Sequence, residues 1–255
     1  MPTNVNWAAR MLVLLAVSVV AMGCGSDATV PSGNGTSSAA PTFQGQHPIT
    51  AVATVGMVAD IVRNVGGEQV RVTQICGPGV DPHLYKATRD DVQSMMQGDV
   101  IFYSGLMLEG KLADTLIKLA RKKPVIAVTE LVDEATLLEP EDLAGHYDPH
   151  VWMDVAAWSE CVQAVAKTLA EFDPSNAETY EANAAAYQEQ LTELHEYGKK
   201  AIGSIPETSR VLITSHDAFN YFGRAYGLDV QGVLGLSTES EAGLNGRMVR
   251  DYMSG

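Results

Sequence analysis

Three histidines share a setting in which imidazole does chemistry. His83, His150 and His216 each follow a β-like run, or the loop leading from one, and each precedes a helical stretch. His83 closes Asp81-Pro82-His83 and His150 closes Asp148-Pro149-His150, the same tripeptide twice. Proline fixes its own φ and restricts the residue before it, so both loops are stiffened beside an imidazole. Neutral imidazole is a common metal ligand, and a metal site needs its donors held in place before the ion arrives. Asp81 and Asp148, each two residues ahead of a histidine, can orient the ring through its second nitrogen. Taken singly, each histidine reads better as a capping, surface or core residue. The repeated tripeptide makes a shared divalent-metal site the sharper reading. Of the other histidines, His47 lies in a polar segment and His195 on a long helix, so both read as solvated. His146, in Gly145-His146-Tyr147, is a weaker candidate. Three histidines with an open position also build catalytic zinc sites, but these need a general base near the bound water. No HExxH pattern occurs, and Asp148 and Asp217 read as supports behind ligands. No residue is assigned a catalytic role, and the expectation is that the chain is not an enzyme.

The elements that would hold these residues alternate. Ile49–Thr54, Val70–Ile75, Val100–Tyr103 and Val125–Val128 read as strands. Met57–Val65, Thr88–Gln97 and Glu109–Arg121 read as helices between them. Such alternation implies an α/β fold, a parallel sheet with helices on both faces, whose ligands bind at the carboxyl ends of the strands. Asp154–Phe172 is helical and Asp173-Pro174 interrupts it. From Ser175 to about Ser204 the apolar spacing of Tyr180, Ala184, Tyr187, Leu191, Leu194 and Ile202 predicts one long helix. Strand Val211–Thr214, helix Ala218–Tyr226 and strand Val230–Leu234 then resume the β/α pattern.

The chain of 255 residues carries a formal charge of −14. An acidic surface repels phosphate backbones, so nucleic acid is not expected as a partner. Met11–Met22 is an apolar run too short to span a bilayer and fits the core of a signal peptide. It ends in Gly23-Cys24, and Val20-Ala21-Met22-Gly23-Cys24 resembles a bacterial lipobox, with Cys24 as the lipidated residue. The Ser-, Gly- and Pro-rich stretch that follows reads as a tether. The expected organisation is therefore a signal peptide (1–23), a tether (24–46), a first lobe (47–172), a linking helix (173–204) and a partial second lobe (205–255). Cys76 and Cys161 read as buried free thiols in preference to a disulfide.

Several motifs, in order, carry a family resemblance. Thr54-Val55-Gly56-Met57-Val58-Ala59-Asp60-Ile61-Val62 is followed by Asp81-Pro82-His83-Leu84-Tyr85. Asp148-Pro149-His150-Val151-Trp152-Met153-Asp154 comes next, then Ser215-His216-Asp217-Ala218-Phe219-Asn220-Tyr221-Phe222 with Tyr226-Gly227. From about Ile49 to Gly243 the chain resembles the metal-binding lipoproteins of bacterial ABC importers for zinc and manganese, a family that includes proteins first described as adhesins. The resemblance implies two α/β lobes joined by a rigid helix, with the metal in the cleft between them. It implies His83 and His150 as ligands from the first lobe and His216 as the third, from the second. It implies a fourth, carboxylate ligand nearer the C-terminus than this sequence reaches, so the second lobe reads as incomplete. The implied cargo is one divalent ion, Mn2+ or Zn2+. The implied partners are a membrane permease with its ATPase, and the implied location is exported and lipid-anchored. The acidic stretch 130–147 lacks a His-rich loop, which leans towards manganese; a third histidine leans towards zinc. A surface adhesin with a structural metal and a secreted zinc hydrolase stand as alternatives.

Overall fold

The computed structural model describes residues 42–140 and 145–232. The signal segment, Cys24, most of the tether, the end of the strand expected to reach Leu234, and everything after it lie outside the described residues.

Four strands, β1 (Ile49–Ala53), β2 (Val70–Gln74), β3 (Val100–Tyr103) and β4 (Val125–Ala127), form one sheet in the order β2-β1-β3-β4. All its pairings are parallel, with Ile49 opposite Val70, Val52 opposite Ile101 and Phe102 opposite Ile126. Successive side chains on a strand point to opposite faces, and the apolar residues divide accordingly. Ala51, Ala53, Val100 and Phe102 enter one core with α1 (Gly56–Gly66), α4 (Val155–Phe172) and α5 (Ala177–Gly203). Val52 and Ile101 enter a second core with Met95 of α2 (Arg89–Gln97) and Leu116 and Leu119 of α3 (Ala113–Ala120). Helices therefore cover both faces, as the alternating pattern implies.

The central strands β1 and β3 are buried on both faces; a fully buried Val, Ile or Phe contributes about 1.5–3 kcal/mol. Thr88 caps α2 in a reciprocal capping box with Asp91. Asp154 caps α4 by accepting from the Ala156 and Ala157 amides. The helix expected from Glu109 starts instead with a single 3-10 turn, Gly110–Leu112, because the Glu109 carboxylate turns inward. It accepts the Thr54 hydroxyl at 2.6 Å and the Ser104 amide at 2.7 Å, tying the ends of β1 and β3 together. Burial raises the Glu109 carboxyl above its ordinary value against the pull of these donors.

After Asp173, α5 runs unbroken for 27 residues, about 40 Å of helix. Tyr180, Ala184 and Leu191 form its buried stripe, while Leu194 stays half-exposed. A second parallel pair, β5 (Val211–Thr214) and β6 (Asp229–Gly232), flanks α6 (Asn220–Tyr226). Tyr226 of α6 packs over Gly198 of α5, where a β-carbon would approach its ring to 2.8 Å. Cys76 and Cys161 are buried and free. No helix among the described residues is long and apolar enough to cross a membrane.

Candidate metal centre

The two Asp-Pro-His tripeptides fold alike. The Asp81 carboxylate accepts the backbone N–H of His83 at 2.9 Å, and the Asp148 carboxylate accepts that of His150 at 2.9 Å. An aspartate bonding the amide two residues on closes an Asx turn. Each loop is thus fixed by proline on one side of the amide and by a carboxylate on the other. At His150 the same Asp148 oxygen also meets the ring Nδ1, at 2.7 Å. With Nδ1–H donating to a carboxylate, the Nε2 lone pair is left free. Asp148 is fully buried and His150 nearly so, with the Trp152 ring edge-on to the imidazole at 5.1 Å.

His216 follows β5, and its imidazole joins the other two. Its Nε2 lies 3.1 Å from that of His150, and the His83 Nε2 lies 3.2 Å from the same atom. A ligand atom from each of the three lies within 4.8 Å of the others. The rings are steeply inclined to one another, at 59°, 72° and 80°, so the nitrogens converge edge-on with no stacking. A tetrahedral ion bound at 2.0–2.1 Å would set its nitrogens about 3.3 Å apart, close to the spacing present. Burial, reinforced by His150 and opposed by Asp81, pushes the His83 imidazole down to about 4. At neutral pH that ring is therefore uncharged and able to donate a lone pair.

The remaining sequence candidates are not among the three converging ligands. Asp217, read as a support for His216, has a buried Oδ1 with no hydrogen-bond partner among the described residues. His146 is exposed. His195, read as solvated, is half-buried with Nδ1 3.2 Å from the Tyr226 hydroxyl. His47 is exposed, as the solvated reading has it. It sits 3.5 Å from the Asp173 carboxylate and beside the Phe43 ring, which itself packs on Phe172. The stretch read as tether thus packs onto the body from Phe43 onward, because it contains one aromatic residue with a place to bury.

Residues that sequence reasoning missed connect α6 to the His150 loop. Tyr221 and Arg224 reach the segment from Thr136 to Asp154. Tyr221 stands in one of the motifs that carry the family resemblance, and Arg224 follows it on the same helix, but neither residue type announces this contact.

Comparison with known proteins identifies the family. Residues 51–246 match the family described as zinc-uptake complex component A, periplasmic (ZnuA). The manganese-binding lipoprotein MntA of Bacillus subtilis is 43% identical over 213 residues, covering 84% of this chain and 69% of the relative. The zinc-binding protein TroA of Treponema pallidum is 44% identical over 191 residues, covering 75% of this chain and 61% of the relative. The solved structure of periplasmic zinc-binding TroA from Treponema pallidum superposes with a TM-score of 0.76 at 40% identity, covering 82% of this chain and 74% of that one. The matched span and the superposition agree in one conclusion: the chain belongs to the ZnuA family of periplasmic metal-uptake components.

Proposed function

We propose that this protein captures a divalent transition metal, manganese or zinc, outside the cytoplasmic membrane and delivers it to the permease and ATPase of an ABC importer. His83, His150 and His216 are the ligands in this reading, with Asp81 and Asp148 supporting them, and the ion is cargo. The observation that carries it is the convergence of three Nε2 atoms, two of them 3.1 and 3.2 Å from the third. Relatives named for manganese and for zinc match the chain about equally, which supports both ions as cargo. Nitrogen donors favour zinc by intrinsic affinity, and supply in the cell can reverse that order. Several relatives are named lipoproteins, in keeping with Cys24 as a lipid anchor. The role is binding and hand-over, with no chemical step. The two lobes, 47–172 and 205 onward, divide the ligands between them on either side of the linking helix.

Calorimetric titration of the purified protein with Zn2+ and with Mn2+ tests the ligand set. Replacing His83, His150 or His216 by Ala should each weaken binding on the order of 100-fold or more, beyond what loss of a supporting residue costs. His47→Ala and His195→Ala should bind as the parent does. A His216→Ala protein with unchanged affinity would remove the three-imidazole site. Co-purification with a membrane permease tests the importer role, and its absence from cross-linked membranes would favour the adhesin alternative.

A further inference from the structure

We propose that Tyr221 and Arg224 of α6 are positioning residues, an interlobe latch that sets how fast metal leaves the three-histidine site. The proposal rests on the ligand reading above. His216 and α6 are neighbours in sequence, so α6 moves with the third ligand. The first lobe contributes His150, which lies between Asp148 and Asp154. α6 grips the chain on both sides of that ligand.

Tyr221 is fully buried. Its hydroxyl accepts the Leu138 N–H at 3.0 Å and donates to the Asp148 carbonyl at 2.9 Å. One hydroxyl therefore satisfies two backbone groups of the segment leading into His150. Arg224 donates through Nη1 to the Thr136 carbonyl at 2.7 Å and through Nη2 to the Asp154 carboxylate at 3.4 Å. That carboxylate caps α4, immediately after the His150 turn. The guanidinium lies 5.1 Å from the centre of the Tyr221 ring, a cation–π arrangement that couples the two side chains. Asn220 reaches the other Asp148 oxygen at 3.5 Å, the limit of a hydrogen bond.

The consequence is mechanical. An ion held by His150 and His216 escapes when the two rings separate. Separation carries α6 away from Leu138, Asp148, Thr136 and Asp154 together, and leaves the half-buried Leu138 N–H and the buried Asp148 C=O without their partner. Buried polar groups resist being left unpaired, so this opening is rare while the latch holds. Loosening the latch raises the population of the open form without touching a ligand. Differences in affinity within one interface fall mostly on the dissociation rate, so that rate is the quantity to read.

The experiment uses the full chain loaded with Zn2+, mixed rapidly with excess chromogenic chelator. Tyr221→Phe and Arg224→Gln should each release Zn2+ on the order of tenfold faster, the lower end of what outer residues of metal sites do. Arg224 is partly exposed, so its variant tests the idea even where Tyr221→Phe fails to fold. Leu191→Ala, in the same core but outside the latch, provides a control of reduced melting temperature. Faster release in the latch variants with release from Leu191→Ala unchanged supports the proposal. Unchanged release in a folded latch variant overturns it, as does an equal acceleration in Leu191→Ala. Failure of the parent protein to bind Zn2+ at all would instead strike the ligand reading.

Discussion

The carboxylate of Asp148 is fully buried and accepts from His150 twice, from the backbone amide at 2.9 Å and from ring Nδ1 at 2.7 Å. Its negative charge does two things for a metal. It fixes the tautomer that leaves Nε2 free, and it places a counter-charge behind the ring that would donate to a cation. Asp148→Asn keeps one acceptor oxygen and loses the charge, so metal affinity should fall about 10–100-fold, measured by competition with a chelator of known affinity. Asp81→Asn should fall less, because Asp81 is only half-buried and water screens its charge. Equal losses in the two variants would contradict an electrostatic role for burial. Much of this was legible in the sequence, since a tripeptide that recurs is visible without coordinates. Tyr221 was not. Its hydroxyl bonds residues 73 and 83 positions away, and nothing in a tyrosine on a helix announces which distant carbonyl it will meet.

The elements meet at one polar knot. Asp173 ends α4 and its carboxylate accepts from Ser175 at 2.6 Å, Asn176 at 2.8 Å and Tyr180 at 2.7 Å. Burial alone would raise this carboxyl, but the three donors outweigh it and hold it below the usual carboxylate range. The sequence shows the break at Asp173-Pro174 and the start of a new helix. The reason the junction is rigid lies in side-chain geometry, which composition does not encode. Tyr180 is fully buried, and Tyr180→Phe removes one donor from a buried charge. The cost should be about 2 kcal/mol near neutral pH. The sign with pH follows from linkage. A depressed folded pKa gives stability that is present above the unfolded value, near 3.9, and is lost as pH falls through the folded value. The gap between parent and variant should therefore be full at pH 7 and shrink below about pH 4, where the carboxylate protonates and the hydroxyl bond matters less. Denaturant unfolding at the two pH values measures it. A gap that stays constant would mean that the Tyr180 loss is packing alone.

At the scale of the whole molecule, the two-lobed plan is what the family resemblance implies, while the α/β class follows from the run of alternating strands and helices and the long helix from the thirty-residue apolar stripe. The strand order β2-β1-β3-β4 does not, because which strand lies beside which depends on crossovers that periodicity leaves open. What the structure adds is where stiffness resides. α5 packs on α1 and α4 of the first lobe and on α6 of the second, with Gly198 letting Tyr226 close on the helix. A helix held along its length cannot serve as a hinge without breaking its own hydrogen bonds. Opening of the cleft must then fall on α6 and on the chain around His150, where a few side-chain bonds carry the contact. Hydrogen exchange on metal-free and Zn2+-loaded protein should show this partition. Amides of α5 from Tyr180 to Leu191 should exchange at the same slow rate in both states. Amides around Leu138 and in α6 should slow on loading, since their opening is what the bound ion opposes. A uniform slowing that includes the middle of α5 would point to a global transition, and a hinge through the long helix would then replace the latch as the moving part.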